Sequence, residues 1–136
     1  MKQLKSCGVL CLHDHKALLL KHTNRYDLPK GHIETGETEL ECALRELKEE
    51  TAIEADLISI DDEFQFELTY FPRYKRFGNK KVEKTVVIFL AYLNSEPNLV
   101  LGEHGAYEWV DLDFECSNNT VMSLFRDIRK HLKIQS

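Results

Sequence analysis

Only three prolines and six glycines punctuate these 136 residues, and no Pro/Gly/Ser-rich linker, repeat or low-complexity stretch divides them. One domain spanning 1–136 is therefore the expected organisation. No apolar run approaches the roughly 18 residues that a membrane span needs. The opening Met1-Lys2-Gln3-Leu4-Lys5-Ser6 lacks the apolar core of a signal peptide. A cytoplasmic chain with no membrane partner is expected. The four cysteines, Cys7, Cys11, Cys42 and Cys116, form no CxxC pair. A chain of this length builds a core without staples, so reduced thiols are expected rather than disulfides or zinc. Positive charge is also short: 18 Lys and Arg against 23 Asp and Glu leave a net charge of -5. That argues against general nucleic-acid binding, which needs a positive surface, but leaves room for one local site for a phosphorylated small molecule. Nothing in the sequence signals an oligomeric state.

What is present reads as strands with two helices inserted. Residues 5–12 form a first strand, 13–16 a turn and 17–20 a second strand of a hairpin. Residues 23–37 read as loop, punctuated by Asn24, Pro29, Gly31 and Gly36. A helix is expected over 38–51: Thr38 and Glu41 fit a capping box, and Leu40, Ala43, Leu44 and Leu47 make one apolar stripe. Residues 57–71 alternate as a strand, 72–81 form a basic loop, and 85–93 are apolar enough for a central strand buried on both faces. A short strand follows over 107–112. A second helix covers 119–132, with Val121, Leu124, Phe125, Ile128 and Leu132 inward. The order predicts an α/β sandwich with a mixed β-sheet.

In the first helix Glu46, Glu49 and Glu50 fall at i, i+3 and i+4, on a face read as pointing away from the leucine stripe. Carboxylates that close repel one another. Either they form a solvated acidic face, or they hold a hard divalent cation such as Mg²⁺ between them.

The segment around them bears on that choice. From Gly31 the chain runs five residues to Glu37, seven more to Arg45-Glu46-Leu47, then Lys48, Glu49-Glu50, Thr51, Ala52 and Ile53. This resembles the Nudix box over 31–53, matching at every specified position but one, where Ala52 replaces a glycine. A glycine there suits a left-handed helix end, and alanine in that conformation costs of order 1 kcal/mol. The resemblance implies a Nudix-type α/β/α sandwich and hydrolysis of a nucleoside diphosphate linked to another group. It implies Mg²⁺ or Mn²⁺ on Glu46, Glu49 and Glu50, with a backbone carbonyl at Lys30 or Gly31 joining the shell. Glu37 and Arg45 correspond to an ion pair pinning loop to helix, with a catalytic share open to both. Glu50 and Glu103 are the candidate general bases. Gly31 and Gly36 would let the loop fold back compactly onto the helix start.

Three further features are similar to the asymmetrical diadenosine tetraphosphate (Ap4A) hydrolase branch of that family. They are Pro29-Lys30-Gly31-His32, the segment from Glu103-His104 to Tyr107 and Trp109, and Tyr70 followed beyond the basic loop by Lys84. The similarity implies a dinucleoside polyphosphate substrate, with Tyr70 stacking on adenine and Lys84 contacting phosphate; read by itself, Tyr70 is equally a half-buried aromatic at a strand end. Lys30, His32 and His104 are candidate phosphate contacts, the two histidines being otherwise solvated loop residues. Trp109 reads as core. The basic loop, with Tyr74 and Phe77 among its cations, is either a soluble hairpin loop or a surface where bases stack and phosphates pair. It suits triphosphorylated or capped RNA and diphosphoinositol polyphosphates as well, and nucleoside triphosphates remain an alternative substrate. A noncatalytic nucleotide-binding Nudix module fits less well, because such modules lose box carboxylates that are all present here.

Overall fold

The computed structural model describes residues 1–100 and 106–134. Its strands are β1 (Gln3–His13), β2 (Lys16–His22), β3 (Arg25–Asp27), β4 (Lys30–His32), β5 (Ile58–Tyr70), β6 (Glu83–Leu93) and β7 (Ala106–Asp111). The helices are α1 (Glu39–Thr51) and α2 (Asn119–Leu132). The sheet runs β3-β2-β1-β6-β5, with β4 on β1 and β7 on β2. Its spine is the parallel pair β1–β6, in register from Gln3 opposite Glu83 to Leu12 opposite Tyr92. Every other pairing is antiparallel. A helix covers each face, giving the expected mixed-sheet sandwich.

Alternation along the two spine strands sorts their side chains between two cores. Leu10, Leu12, Val86, Ile88 and Leu90 pack with Val121, Leu124, Phe125 and Ile128 of α2. Cys7, Val9, Cys11, Val87 and Ala91 pack with Cys42, Ala43 and Leu47 of α1. Burial on both faces explains why β6 reads as an unbroken apolar run rather than an alternating one. The far end of α2 is tied down where His131 Nε2 and the Tyr92 hydroxyl reach Asp61 Oδ2, at 2.8 and 2.7 Å. Among the described residues no helix is long and apolar enough to cross a membrane.

Three expectations need correction. Residues 23–37 are not continuous loop, because β3 and β4 lie within them. Strands of three residues show no periodicity of their own; they exist through pairing with β2 and β1. Leu40 is not part of the buried stripe. It is 36% exposed and borders a groove with Ile60 and Phe89, while Cys42 is buried in the core. Periodicity gives a side chain's angle around the helix, not whether the sheet extends beneath that turn. Nor do all three glutamates point away from the apolar face. At about 100° per residue, Glu50 lies only about 20° from Ala43 around the axis.

Helix α1 begins at the expected capping box: Thr38 Oγ1 accepts from the Glu41 amide at 3.1 Å, and Glu41 Oε1 accepts from the Thr38 amide at 2.8 Å. It ends at Ala52, in the left-handed region at φ 65°, ψ 13°, its amide donating to the Lys48 carbonyl at 2.9 Å. A left-handed L-residue costs about 1–2 kcal/mol, of which glycine's freer unfolded chain returns about 0.4–1. Ala52→Gly should therefore stabilise the protein by about 0.5–1 kcal/mol, read as a Tm higher by about 2–3 °C. An unchanged or lower Tm would show that the alanine is not strained.

Candidate active site

Strand β4 lies against the N-terminal half of β1, with Gly31 opposite Cys7 and His32 opposite Ser6. This brings the Lys30–His32 segment onto the side of α1. The approach is closest at Gly31. A Cβ there would lie 2.1 Å from Glu46 Oε1, so the glycine is required for space rather than for a special φ. The Cys42 thiol donates to the Gly31 carbonyl at 3.4 Å, fastening strand to helix from beneath.

Arg45 organises the rim. Its Nε donates to Glu37 Oε2 at 2.6 Å and its Nη2 to Glu37 Oε1 at 3.0 Å, a two-pronged pair joining loop to helix. The same Nη2 reaches the His32 carbonyl at 3.1 Å, and Nη1 lies 3.2 Å from Glu46 and 3.3 Å from Glu49. The guanidinium holds the Glu37 carboxyl down at about 2, helped by the Glu34 amide, and Glu37 in turn raises the Arg45 pKa. Arg45→Ala should thus lower Tm and activity together, because it releases the loop and leaves Glu37 and Glu46 facing each other's charge. Lost activity at an unchanged Tm would instead place Arg45 on the substrate.

Behind this rim the carboxylates sit in graded surroundings. The Glu49 side chain is 57% exposed and that of Glu46 only 12%. Burial, then the charge of Glu49, raises the Glu46 pKa. Glu50 is pushed up to about 8, first by burial and then by Glu46, although it accepts a hydrogen bond from the Lys30 amide. Among the described residues no three His, Cys, Asp or Glu side chains are gathered into a ready-made cage, since Arg45 lies among them. The donor set nevertheless fits a hard divalent cation. It is all oxygen, two of its carboxylates are driven toward protonation by burial and mutual repulsion, and a cation would relieve both.

Beside the carboxylates lies a cluster of cations. Lys84, near the start of β6, is 5% exposed, and its Nζ donates to Ser6 Oγ at 2.5 Å and lies 3.5 Å from His32 Nδ1. Burial, then the charges of Lys30 and Arg76, lowers the Lys84 pKa to about 8. Burial, then the charges of Lys84, Arg76 and Lys30, lowers that of His32. Lys30 is steadied by Asp27 at 3.3 Å. Tyr70, the last residue of β5, pairs with Lys84 across the sheet and stands 39% exposed.

The structure thus gathers Lys30, His32, Lys84 and Tyr70 beside the helix that carries Arg45, Glu46, Glu49 and Glu50, with Glu37 at its lip. Glu103 and His104 lie outside the described residues. Trp109 packs half-buried against the α1-side core, as read from sequence. Tyr74 and Phe77 pack edge to face, and the Arg76 guanidinium covers both rings, so those rings are already engaged. Sequence reasoning passed over Ser6, Asp27 and Arg76. Nothing marks a lone serine in a first strand, and Arg76 is one cation among many in its loop.

A loop folded over an acidic helix, set on a mixed sheet between two helices, is the architecture of a phosphoanhydride hydrolase, and residues 2–118 match the model of the NUDIX domain. The chain belongs to the Nudix family, whose hydrolases generally use divalent metal ions. It is 34% identical to the mouse protein named bis(5′-nucleosyl)-tetraphosphatase (asymmetrical), across 96% of this chain and 91% of that one. The crystal structure of a Caenorhabditis elegans Ap4A hydrolase binary complex superposes with a TM-score of 0.80 at 28% identity, covering 96% of this chain and 98% of that one. An RNA pyrophosphohydrolase of Ruthia magnifica is 33% identical across 76% of this chain and 65% of its own length.

Proposed function

We propose that this protein is a cytoplasmic, metal-dependent hydrolase of dinucleoside polyphosphates that cuts Ap4A asymmetrically into ATP and AMP. The observation that carries the reading is the side-by-side placement of a buried acidic niche, at Glu46 and Glu50, and a cationic patch at Lys84 and His32 that ends in exposed Tyr70. One half suits a cation that grips phosphate, the other the phosphates and an adenine. Near full-length similarity to proteins named as asymmetrical tetraphosphatases supports the same reading. Four free thiols suit a reducing compartment.

Glu46, Glu49 and Glu50, with the Lys30 carbonyl, would hold Mg²⁺ or Mn²⁺. When bound, such an ion supplies Lewis acidity toward the phosphates and makes a water more acidic. The protein's own groups do the rest. Glu50 and Glu103 are the two candidate bases for the water's proton; a cation beside Glu50 would offset the burial and the Glu46 charge that favour its protonated form, leaving a carboxylate able to accept. Lys84, anchored on Ser6, offers a positioned donor to the polyphosphate chain. His32, its pKa lowered, bonds phosphate as a neutral ring beside Lys30. His104 belongs to the same proposed phosphate contacts. Arg45 and Glu37 keep the loop pressed to the helix.

Tyr70 is the proposed adenine platform. Base stacking is worth roughly 1–3 kcal/mol. Tyr70→Ala should therefore raise KM for Ap4A by about tenfold or more with a smaller change in kcat; an unchanged KM would remove Tyr70 from the site. The assignment itself is tested with a panel of Ap4A, ATP, triphosphorylated RNA and a diphosphoinositol polyphosphate in Mg²⁺, where Ap4A should show the highest kcat/KM. The similarity to an RNA pyrophosphohydrolase and the basic β5–β6 loop favour 5′-triphosphate RNA as the second reading, and a preference for it in the panel would establish that reading instead.

A further inference from the structure

The connection between β5 and β6 is folded rather than slack. The Val82 amide donates to the Pro72 carbonyl at 2.9 Å, Arg73 Nη1 to the Asn79 carbonyl at 3.0 Å, and the Glu83 amide to the Lys2 carbonyl at 2.8 Å. A short 3-10 turn over Lys75–Phe77 closes it. This fold holds Arg76 against two rings, its guanidinium carbon 5.3 Å from the Tyr74 centroid and 4.8 Å from that of Phe77.

The neighbouring cations have been given work. Lys5 pairs with Glu39 at 2.8 Å, Lys30 with Asp27, and Lys84 bonds Ser6 in the wall. Among the described residues Arg76 has no carboxylate within ion-pair distance. Its charge still weighs on His32 and Lys84, helping to lower the pKa of each. Together with Phe77, Gln3, Leu4, His32 and Ile33 it borders a groove of about 270 Å³, on the β1 and β4 side of the site. At about 30 Å³ per water, that space holds a phosphate group with room to spare. A guanidinium lying on aromatic faces presents its N–H donors at its edge, the geometry that grips two phosphate oxygens at once. A base could not take the same place, since Arg76 already covers the rings.

We propose that Arg76 and this groove form a second phosphate subsite, beyond Lys84 and His32, which receives the end of the polyphosphate chain remote from the box glutamates and sets a preference for chain length. The proposal rests on the function proposed above. It is tested with the full chain as wild type, Arg76→Ala, Arg76→Gln and Arg76→Lys, on diadenosine tri-, tetra-, penta- and hexaphosphate. Both neutral variants should raise KM for the penta- and hexaphosphates by about tenfold or more, as expected for losing a charge-assisted bond. KM for the triphosphate should change by less than about threefold and kcat by less than about twofold, because the reacting phosphate lies elsewhere. Arg76→Lys should recover part of the loss. An equal rise at every chain length, or a fall in kcat alone, would make Arg76 a structural prop of its loop and overturn the proposal.

Titration calorimetry with inorganic tripolyphosphate in chelator separates this proposal from the substrate assignment. The neutral variants should bind it about tenfold more weakly than wild type, and equal affinity would overturn the subsite. Wild-type protein that cuts no dinucleoside polyphosphate, yet binds tripolyphosphate in an Arg76-dependent way, would retain the subsite and lose the substrate. Protein that cuts Ap4A with Arg76→Ala indistinguishable from wild type along the series would do the reverse.

Discussion

Glu50→Gln should lower kcat/KM for Ap4A by at least about a thousandfold while leaving the fold intact. The variant removes an oxygen of the proposed metal site and a candidate base, and general base catalysis alone contributes about 10²–10⁴. The two side chains have the same shape, so packing survives. The second half of the expectation concerns metal-free protein. Burial and Glu46 raise the Glu50 pKa in the folded chain to about 8, from an ordinary 4.5. A pKa raised by folding means that the folded state holds the proton more tightly than the unfolded one. Its contribution to stability is complete below about pH 4.5 and lost as pH rises through about 8. Glutamine cannot ionise and escapes that loss. In chelator, wild-type Tm should fall between pH 5 and pH 9 by more than that of Glu50→Gln, and the variant should be the more stable at pH 9. Parallel profiles would show that Glu50 ionises freely in the fold, and activity within tenfold of wild type would take Glu50 out of the machinery.

Gly31→Ala should be nearly as damaging, through a single methyl group. The added carbon would lie 2.1 Å from Glu46 Oε1 and 2.2 Å from Glu46 Cδ. That carboxylate is not free to swing aside, being held by Arg45 at 3.2 Å and only 12% exposed. Either β4 lifts from β1, or Glu46 leaves the niche and its bond to Arg45. Both outcomes should lower kcat by about a hundredfold or more and reduce Tm by several degrees. Gly36→Ala is the control. Gly36 has φ +87° and open space around it, so alanine there meets no atom and bears only the left-handed cost of about 1–2 kcal/mol. It should keep most of the activity. Equal damage from the two substitutions would mean that backbone strain, not the closeness of Glu46, governs the loop.

What the sequence made legible was whatever depends on near neighbours. Thr38 and Glu41 cap α1 because their spacing places each beside the other's amide, and Ala52 adopts the left-handed end that its position in the box implies. The apolar run of β6 reports burial on both faces. Strands β3 and β4 were hidden, because partners far away in sequence create them. So was the burial of Lys84: a charged residue at the head of a strand reads as surface, and only the register that sets it beside Ser6 and His32 brings it inside. Glu50 was misread for a related reason. Spacing alone sets the three glutamates together on a face away from the leucine stripe, whereas the fold exposes Glu49 and half-buries Glu50, and that difference gives them different surroundings.

The most direct measurement is cleavage of Ap4A in ¹⁸O-labelled water with Mg²⁺, the products separated and weighed by mass spectrometry. An active site that grips one end of a tetraphosphate chain should give ATP and AMP in equal amounts, with the label confined to one of them. Two molecules of ADP would contradict asymmetrical cleavage outright, and no cleavage of Ap4A beside rapid attack on triphosphorylated RNA would place this protein's chemistry on a different substrate.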